Sequence, residues 1–236
     1  TTLFRSFNSA IWTKNLDHLK KNYTNIVNLD LNGHGSTAYN ADYENLDYYL
    51  QHLITIITQG STILGWSLGG VIGLLLKHKY PEHINQVIMC ASNVCFINSN
   101  DWTHGVSHEN WDKFYNKLIT DQQKALQEFL LLQTLSHPDS KSLFKQLLAI
   151  VNNSSPASID GLNWGLNILS KDYRYILDTI NHDQIKFIFG KKDLLVNSSL
   201  QSWLNNNFPN IKTYMLEKSG HMPFVTEPDL FYQCLE

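Results

Sequence analysis

Residues Ser61–Lys79 read STILGWSLGGVIGLLLKHK. The first six, Ser61–Trp66, form an apolar run without alternation, the mark of a strand buried on both faces of a parallel sheet. Leu68–Lys79 predicts a helix with small residues Gly69, Gly70 and Gly73 on one side. Tyr80-Pro81 ends it, because the residue before a proline is pushed out of helical geometry. Between strand and helix, Gly65-Trp66-Ser67-Leu68-Gly69 fits G-x-S-x-G in the strand–turn–helix context that this motif requires. So sharp a turn forces Ser67 into strained backbone geometry with its hydroxyl exposed, and the flanking positions must be small. The helix N-terminus points N–H groups at the same place, which favours a developing negative charge.

Outward from this stretch, strands and helices alternate. Asn25–Leu31 predicts a strand, followed by the loop Asn32-Gly33-His34-Gly35. Asp42–Gln59 carries Leu46, Tyr49, Leu50, Leu53, Ile54 and Ile57 at helical spacing, and Gly60 stops it. Gln86–Ala91 predicts the next strand. After a long gap the pattern resumes with Ile185–Phe189, a turn containing Gly190 and Asp193, and a helix around Ser198–Asn206. A strand Lys212–Leu216, then Gly220-His221, and a last helix from Pro228 complete it. This alternation predicts an α/β fold, a mostly parallel central sheet with helices on both faces. The gap, residues 98–171, has no strand pattern. It predicts helices at Trp111–Ile119, Gln122–Leu135, Ser140–Val151 and Ile159–Leu169, a helical lid inserted into a core made of residues 1–97 and 172–236.

The chain has 236 residues, a length one α/β domain accommodates with a sizeable core. Hydrophobic residues make up 43% and charged residues 17%, which excludes a charge-driven disordered chain. Eighteen Lys+Arg against 21 Asp+Glu give a net charge of −3, which argues against a general nucleic-acid binder. Cys90, Cys95 and Cys234 have neither disulfide-framework nor metal-site spacing and fit a reducing, cytoplasmic setting. No apolar run reaches the ~18 residues of a membrane span. The start, Thr1-Thr2-Leu3-Phe4-Arg5, shows no signal-peptide pattern. It also lacks a Met, and the numbered chain is expected to be processed, incomplete or diverged at its front, with N-terminal strands of the sheet missing.

A serine hydroxyl is a poor nucleophile without a base, and the base needs a third group to hold it. In G-x-S-x-G proteins of this strand–helix type the chain order is serine, acid, histidine. Asp193 follows Ser67 by 126 residues, and His221 follows Asp193 by 28. Both come just after predicted strands, at the sheet end where open α/β folds place their sites. Asp172, Asp178 and Asp183 are rival acids that follow no strand. His34, His104 and His108 sit in loops and are weaker candidates. The residues thus assign Ser67 as nucleophile, His221 as general base and acid, and Asp193 as the group that orients it.

With these motifs the chain resembles the α/β-hydrolases. Asp30-Leu31-Asn32-Gly33-His34-Gly35 is similar to that family's D-x-x-G-x-G loop. Within it, the chain resembles the pimeloyl-acyl-carrier-protein methyl ester esterases of biotin biosynthesis. The strings Gly65–Gly70, Ala91–Phe96 (ASNVCF), Phe129–Thr134 (FLLLQT) and Gly165–Leu169 (GLNIL) carry this likeness, the last two inside the lid. The family's His-Gly-Trp/Phe-Gly stretch would begin at Leu3-Phe4, where the motif is absent. The resemblance implies an oxyanion hole made by the backbone N–H groups of Leu68 and Arg5. It implies hydrolysis of a methyl ester on a pimeloyl chain carried by acyl carrier protein, with release of methanol and no metal or organic cofactor. It further implies an acyl channel walled by Trp66, Leu68, Phe129, Leu132 and Leu195. Lys124, Lys141 and Lys145 would meet the acidic carrier, while Glu128 stands where another cation is expected. A monomer is expected, with no nucleic-acid or membrane partner. Other readings of the same residues are a small-ester carboxylesterase, a C–C bond hydrolase, or a hydrolase fold that binds a ligand without turnover.

Overall fold

Among the described residues six strands build one parallel sheet: β1 (Thr2–Phe4), β2 (Val27–Asn28), β3 (Ser61–Trp66), β4 (Ile84–Cys90), β5 (Ile185–Gly190) and β6 (Lys212–Leu216). Their order across the sheet is β2-β1-β3-β4-β5-β6. The computed structural model describes residues 1–4, 9–135, 137, 139–152, 155 and 157–236. Helices follow as α1 (Thr13–Asn22), α2 (Leu46–Ile56), α3 (Leu68–Lys79), α4 (His108–Thr120), α5 (Gln122–Thr134), α6 (Ser140–Asn152) and α7 (Ile159–Leu169). The last are α8 (Arg174–Leu177), α9 (Ser199–Asn207), α10 (Pro223–Thr226) and α11 (Pro228–Gln233).

Alternation along the strands splits the interior into two cores. Ile63 of β3, Val87 and Met89 of β4, and Phe187 and Phe189 of β5 join α2, α3 and α9 on one face. Leu64 and Trp66, Ile88 and Cys90, and Ile188 join Trp12, Leu19 and the α11 residue Phe231 on the other. Helices therefore cover both faces, which is why the central strands read as unbroken apolar runs.

Three local differences from the sequence reading have physical causes. Thr2–Phe4, which carries no strand signal of its own, lies inside the sheet, with Phe4 in register with Gly65. Only Val27–Asn28 of the Asn25–Leu31 run pairs, and Asp30 instead binds the backbone N–H and hydroxyl of Ser36. The helical stretch from Asp42 is divided because the Asn45 side chain accepts from the N–H groups of Asp47 and Tyr48 and caps α2 there.

Helices α4 to α7 all fall between β4 and β5. The two ends of this segment meet: Tyr173 N–H donates to Val94 O at 2.8 Å, and Cys95 pairs with Asp172. Arg174 joins them further, with its guanidinium on both Asp172 and Asp101. The start of α7 is tied to the loop after β2, where Ser158 N–H donates to Gly33 O at 2.8 Å.

Candidate active site

Ser67 stands between β3 and α3 with φ 53° and ψ −118°, a left-handed conformation that costs a non-glycine residue energy. Its neighbours hold it there. Ser67 N–H donates to Cys90 O at 2.9 Å, and Ser67 O accepts from the Ser92 hydroxyl at 2.7 Å. Gly65 has no room for a side chain, since a Cβ would lie 2.3 Å from the Gly69 carbonyl. Leu68 heads α3, directly after the serine.

Asp193 closes the turn that leaves β5. Its Oδ1 accepts from the N–H groups of Leu195 at 2.8 Å and Val196 at 3.0 Å. Its Oδ2 lies 2.8 Å from His221 Nδ1, and the two side chains are 1% and 2% exposed. A carboxylate only accepts, so Nδ1 is the donor and the neutral ring carries its lone pair on Nε2. Nε2 is buried and has no hydrogen-bond partner among the described residues.

Several contacts place the His221 loop. Lys191 N–H donates to Leu216 O at 2.9 Å, and Lys192 N–H to Ser219 O at 2.8 Å. Gly190 permits this approach, because a Cβ there would stand 2.0 Å from Gly220 O. Glu227 accepts from Lys218 N–H at 2.9 Å and from the Ser219 hydroxyl at 2.6 Å. Trp66 Nε1 donates to His221 O. Below the site, burial pushes the Cys90 thiol well up, with the Asp193 charge adding to the effect, so this cysteine stays protonated and inert.

A mostly apolar cavity of about 350 Å³ opens beside Ser67. Of the expected wall residues, Leu68, Phe129, Leu132 and Leu195 line it. Trp66 does not, which corrects that expectation. Its side chain points the same way as Leu64, into the second core, where it meets Phe224 edge-on at 5.4 Å. The indole N–H would be unsatisfied there without the carbonyl of His221. His221 itself stands behind the wall, with the Phe129 ring edge-on at 6.2 Å. Arg5 lies outside the described residues. Lys124, Lys141 and Lys145 are exposed, and none of them lines the cavity. Glu128 is ion-paired with Lys117 across α5 and α4.

Sequence reasoning gave little weight to His34, which is buried on the cavity wall, and did not identify Trp111, Phe114, Leu162 or Leu166. The glycine-flanked turn around His34 signals a close approach, whereas helical periodicity marks a buried face without saying what it faces. Among the described residues no group of three or more His, Cys, Asp or Glu is placed to hold a metal ion, and no helix is long and apolar enough to cross a membrane. A strained serine, an imidazole with an open nitrogen and a buried carboxylate are the parts that nucleophilic acyl transfer requires.

Comparison with known proteins agrees with this architecture. The profile of the alpha/beta hydrolase fold matches residues 4–228. The chain is 31% identical over 231 residues to the pimeloyl-[acyl-carrier protein] methyl ester esterase of Legionella pneumophila (strain Corby), covering 98% of this chain and 90% of that protein. It is 25% identical to the protein of the same name from Nitrosomonas europaea, covering 98% of this chain and 91% of that one. Among solved structures, an esterase from Exiguobacterium antarcticum superposes with a TM-score of 0.85 at 18% identity, covering 100% of this chain and 90% of that one. A bromoperoxidase from Bacillus anthracis gives 0.84 at 19% identity, covering 99% and 89%. At these identities the solved structures speak to the fold alone. Family profile, near full-length relatives and sheet order together mean that the chain belongs to the alpha/beta hydrolase fold family and, within it, to the family of the pimeloyl-[acyl-carrier protein] methyl ester esterases.

Proposed function

We propose that this chain is a serine carboxylesterase that hydrolyses the methyl ester of a pimeloyl chain carried on acyl carrier protein. The observation that carries the reading is the Asp193–His221 pair with its open Nε2, set behind an apolar cavity that has Ser67 on its wall. The names of the full-length relatives supply the substrate.

In this reading Ser67 Oγ attacks the ester carbonyl and His221 Nε2 takes its proton. The Leu68 N–H at the head of α3 stabilises the oxyanion, a contribution of about 10²–10³ in turnover for one such donor. His221 then returns the proton to the leaving methanol. Water repeats the sequence on the acyl-enzyme and frees the carboxylate. Asp193 holds the imidazole in the tautomer that both halves need. The apolar walls at Phe129, Leu132 and Leu195 suit a chain of methylenes. Lys124, Lys141 and Lys145, exposed on α5 and α6, offer cations to an acidic carrier.

The test is methanol release from pimeloyl-acyl-carrier-protein methyl ester, with Ser67→Ala as control and a short p-nitrophenyl ester alongside. Turnover of the carrier substrate that vanishes in Ser67→Ala supports the proposal. Activity confined to the short ester keeps the serine chemistry and rejects the substrate. Activity that survives Ser67→Ala rejects the mechanism.

A further inference from the structure

The cavity wall carries an ionisable side chain that the proposed reaction does not use. His34, in the loop after β2, is 2% exposed and lines the cavity with Ser67 and Leu68. Its Nδ1 lies 2.9 Å from the carbonyl oxygen of Asn32. A carbonyl only accepts, so Nδ1 is the donor, and the neutral ring presents Nε2 as an acceptor. Burial favours that neutral form and moves the pKa of His34 below its ordinary value, against the opposing pull of the Asn32 carbonyl and the Asp30 charge. Among the described residues nothing hydrogen-bonds to Nε2.

The surroundings of the ring are narrow and apolar. A methyl group added to Gly165 of α7 would stand 3.8 Å from His34 Cε1 and 2.8 Å from Leu68 Cδ2. Gly165 therefore leaves the space into which the imidazole edge looks, next to the residue that follows the serine. Among the other lining side chains, Ser67, Asn110 and the indole N–H of Trp111 are the polar groups. An acceptor on the wall of so apolar a cavity is met by water when the cavity is empty, and a bound molecule that displaces that water gains affinity when it brings a donor of its own. An ester carbonyl or a carboxylate cannot supply that donor, since each offers only acceptors. A hydroxyl or an amide N–H can.

Resting on the ester-hydrolase reading of Ser67, we propose that His34 is a specificity residue whose Nε2 accepts a hydrogen bond from a hydroxyl or amide N–H of the substrate. A pimeloyl methyl ester chain has neither group, so in the substrate proposed above the donor is an amide N–H of the tether, whereas a donor on the acyl chain itself would mark a different ester as the substrate.

The test uses methyl esters with acyl chains of graded length that end in a methyl, a hydroxyl or an acetamide group. Binding is measured by calorimetry on the Ser67→Ala protein, where no ester is consumed. At one chain length a donor-bearing ester is expected to bind about 10-fold tighter than its alkyl match, the usual scale for one buried polar partner. A preference for the hydroxyl arm identifies the chain as the source, and a preference for the acetamide arm identifies a tether. His34→Phe in the same background removes the preference, whereas His34→Gln, which keeps an acceptor, retains part of it. The proposal is overturned if alkyl esters bind as tightly at every length, or if His34→Phe leaves the preference intact. His34→Leu decides in the same way if His34→Phe does not fold. Turnover of the alkyl esters by protein with Ser67 intact is read separately. Its absence alongside a His34-dependent preference removes the hydrolase reading and leaves the binding role standing.

Discussion

Trp66 Nε1 donates a 2.7 Å hydrogen bond to the backbone carbonyl of His221, tying the residue before Ser67 to one 155 positions later. The expected base is thus anchored to the serine turn through its backbone, while Asp193 anchors its ring. Trp66→Phe keeps an aromatic ring against Phe224 and deletes the donor. The orphaned carbonyl should lower unfolding free energy by ~1–3 kcal/mol. Ester kinetics should show kcat falling with KM nearly constant, because the alignment of His221 suffers and the cavity wall does not. Unchanged stability together with unchanged kcat would contradict the anchoring role.

Asp193→Asn separates the two jobs of this carboxylate. The amide oxygen still accepts from Leu195 and Val196 N–H, so the turn after β5 should survive and far-ultraviolet circular dichroism should be unchanged. The other arm of an amide is a donor and cannot accept from Nδ1, so the imidazole is driven to the wrong tautomer. Turnover should drop by about 10⁴, the loss seen for this exchange in serine proteases. A loss under tenfold would place another acid in the role.

Gly190→Ala sets a methyl group 2.0 Å from the Gly220 carbonyl, and backbone on both sides leaves it nowhere to go. The unfolding free energy read from urea titration should fall by at least the ~1–3 kcal/mol usual for overpacking. Turnover should fall too, since Gly220 precedes His221. Retained stability with full turnover would show that the two loops separate freely.

The buried His34 gives stability a defined pH dependence. Its folded-state pKa lies below the ordinary 6.5, so near and below that pH the unfolded chain binds more protons than the folded one. The contribution is fully present above pH 6.5 and is lost as pH falls through the folded-state value. His104, also lowered by burial, acts in the same direction. Denaturant titrations at pH 8, 6 and 5 should show declining stability. The decline should be shallower in His34→Gln, and the difference between the two proteins isolates this group from the carboxylates. Parallel curves would refute it.

Arg174 clasps the two ends of the segment carrying α4 to α7, with its guanidinium carbon 5.0 Å from the Trp102 ring centre. These ion pairs are partly exposed, so Arg174→Ala should cost no more than ~1 kcal/mol of global stability. Local opening should be affected more. Hydrogen exchange and trypsin cleavage within residues 98–171 should accelerate by more than a global loss of ~1 kcal/mol accounts for. Equal exchange in both proteins would remove Arg174 from this role.

What local chemistry writes, the sequence shows. The bounds of β3, α3, α7 and β6 match their expected ranges, because apolar runs, glycines and Pro81 define them within a few residues. The Asp193–His221 contact is legible as position, since both follow strands in the expected chain order. Helix α1 escapes notice because TKNLDHLKKN shows only Leu16 and Leu19 as apolar, and its packing partners lie some two hundred residues away. The length of β1 is too small to announce itself. Trp66 is misplaced by the reading because closeness to Ser67 in sequence suggests closeness to the cavity, while strand alternation turns the side chain to the opposite face. The cavity role of His34 depends on α7 arriving over the loop after β2, a meeting no local pattern encodes.

Trp12 stacks on Phe224 with ring centres 4.0 Å apart, and Asn15 donates to Phe224 O and to the Tyr232 hydroxyl at 2.8 and 2.9 Å. One core is thereby shared between segments 209 residues apart, so that the earlier one is made long before the later one. Ser67 and its turn emerge early, but the surface that backs His221 cannot close until Phe224 and Phe231 have been added. With His221 as the base proposed above, the chain being made carries the serine well before the group that activates it.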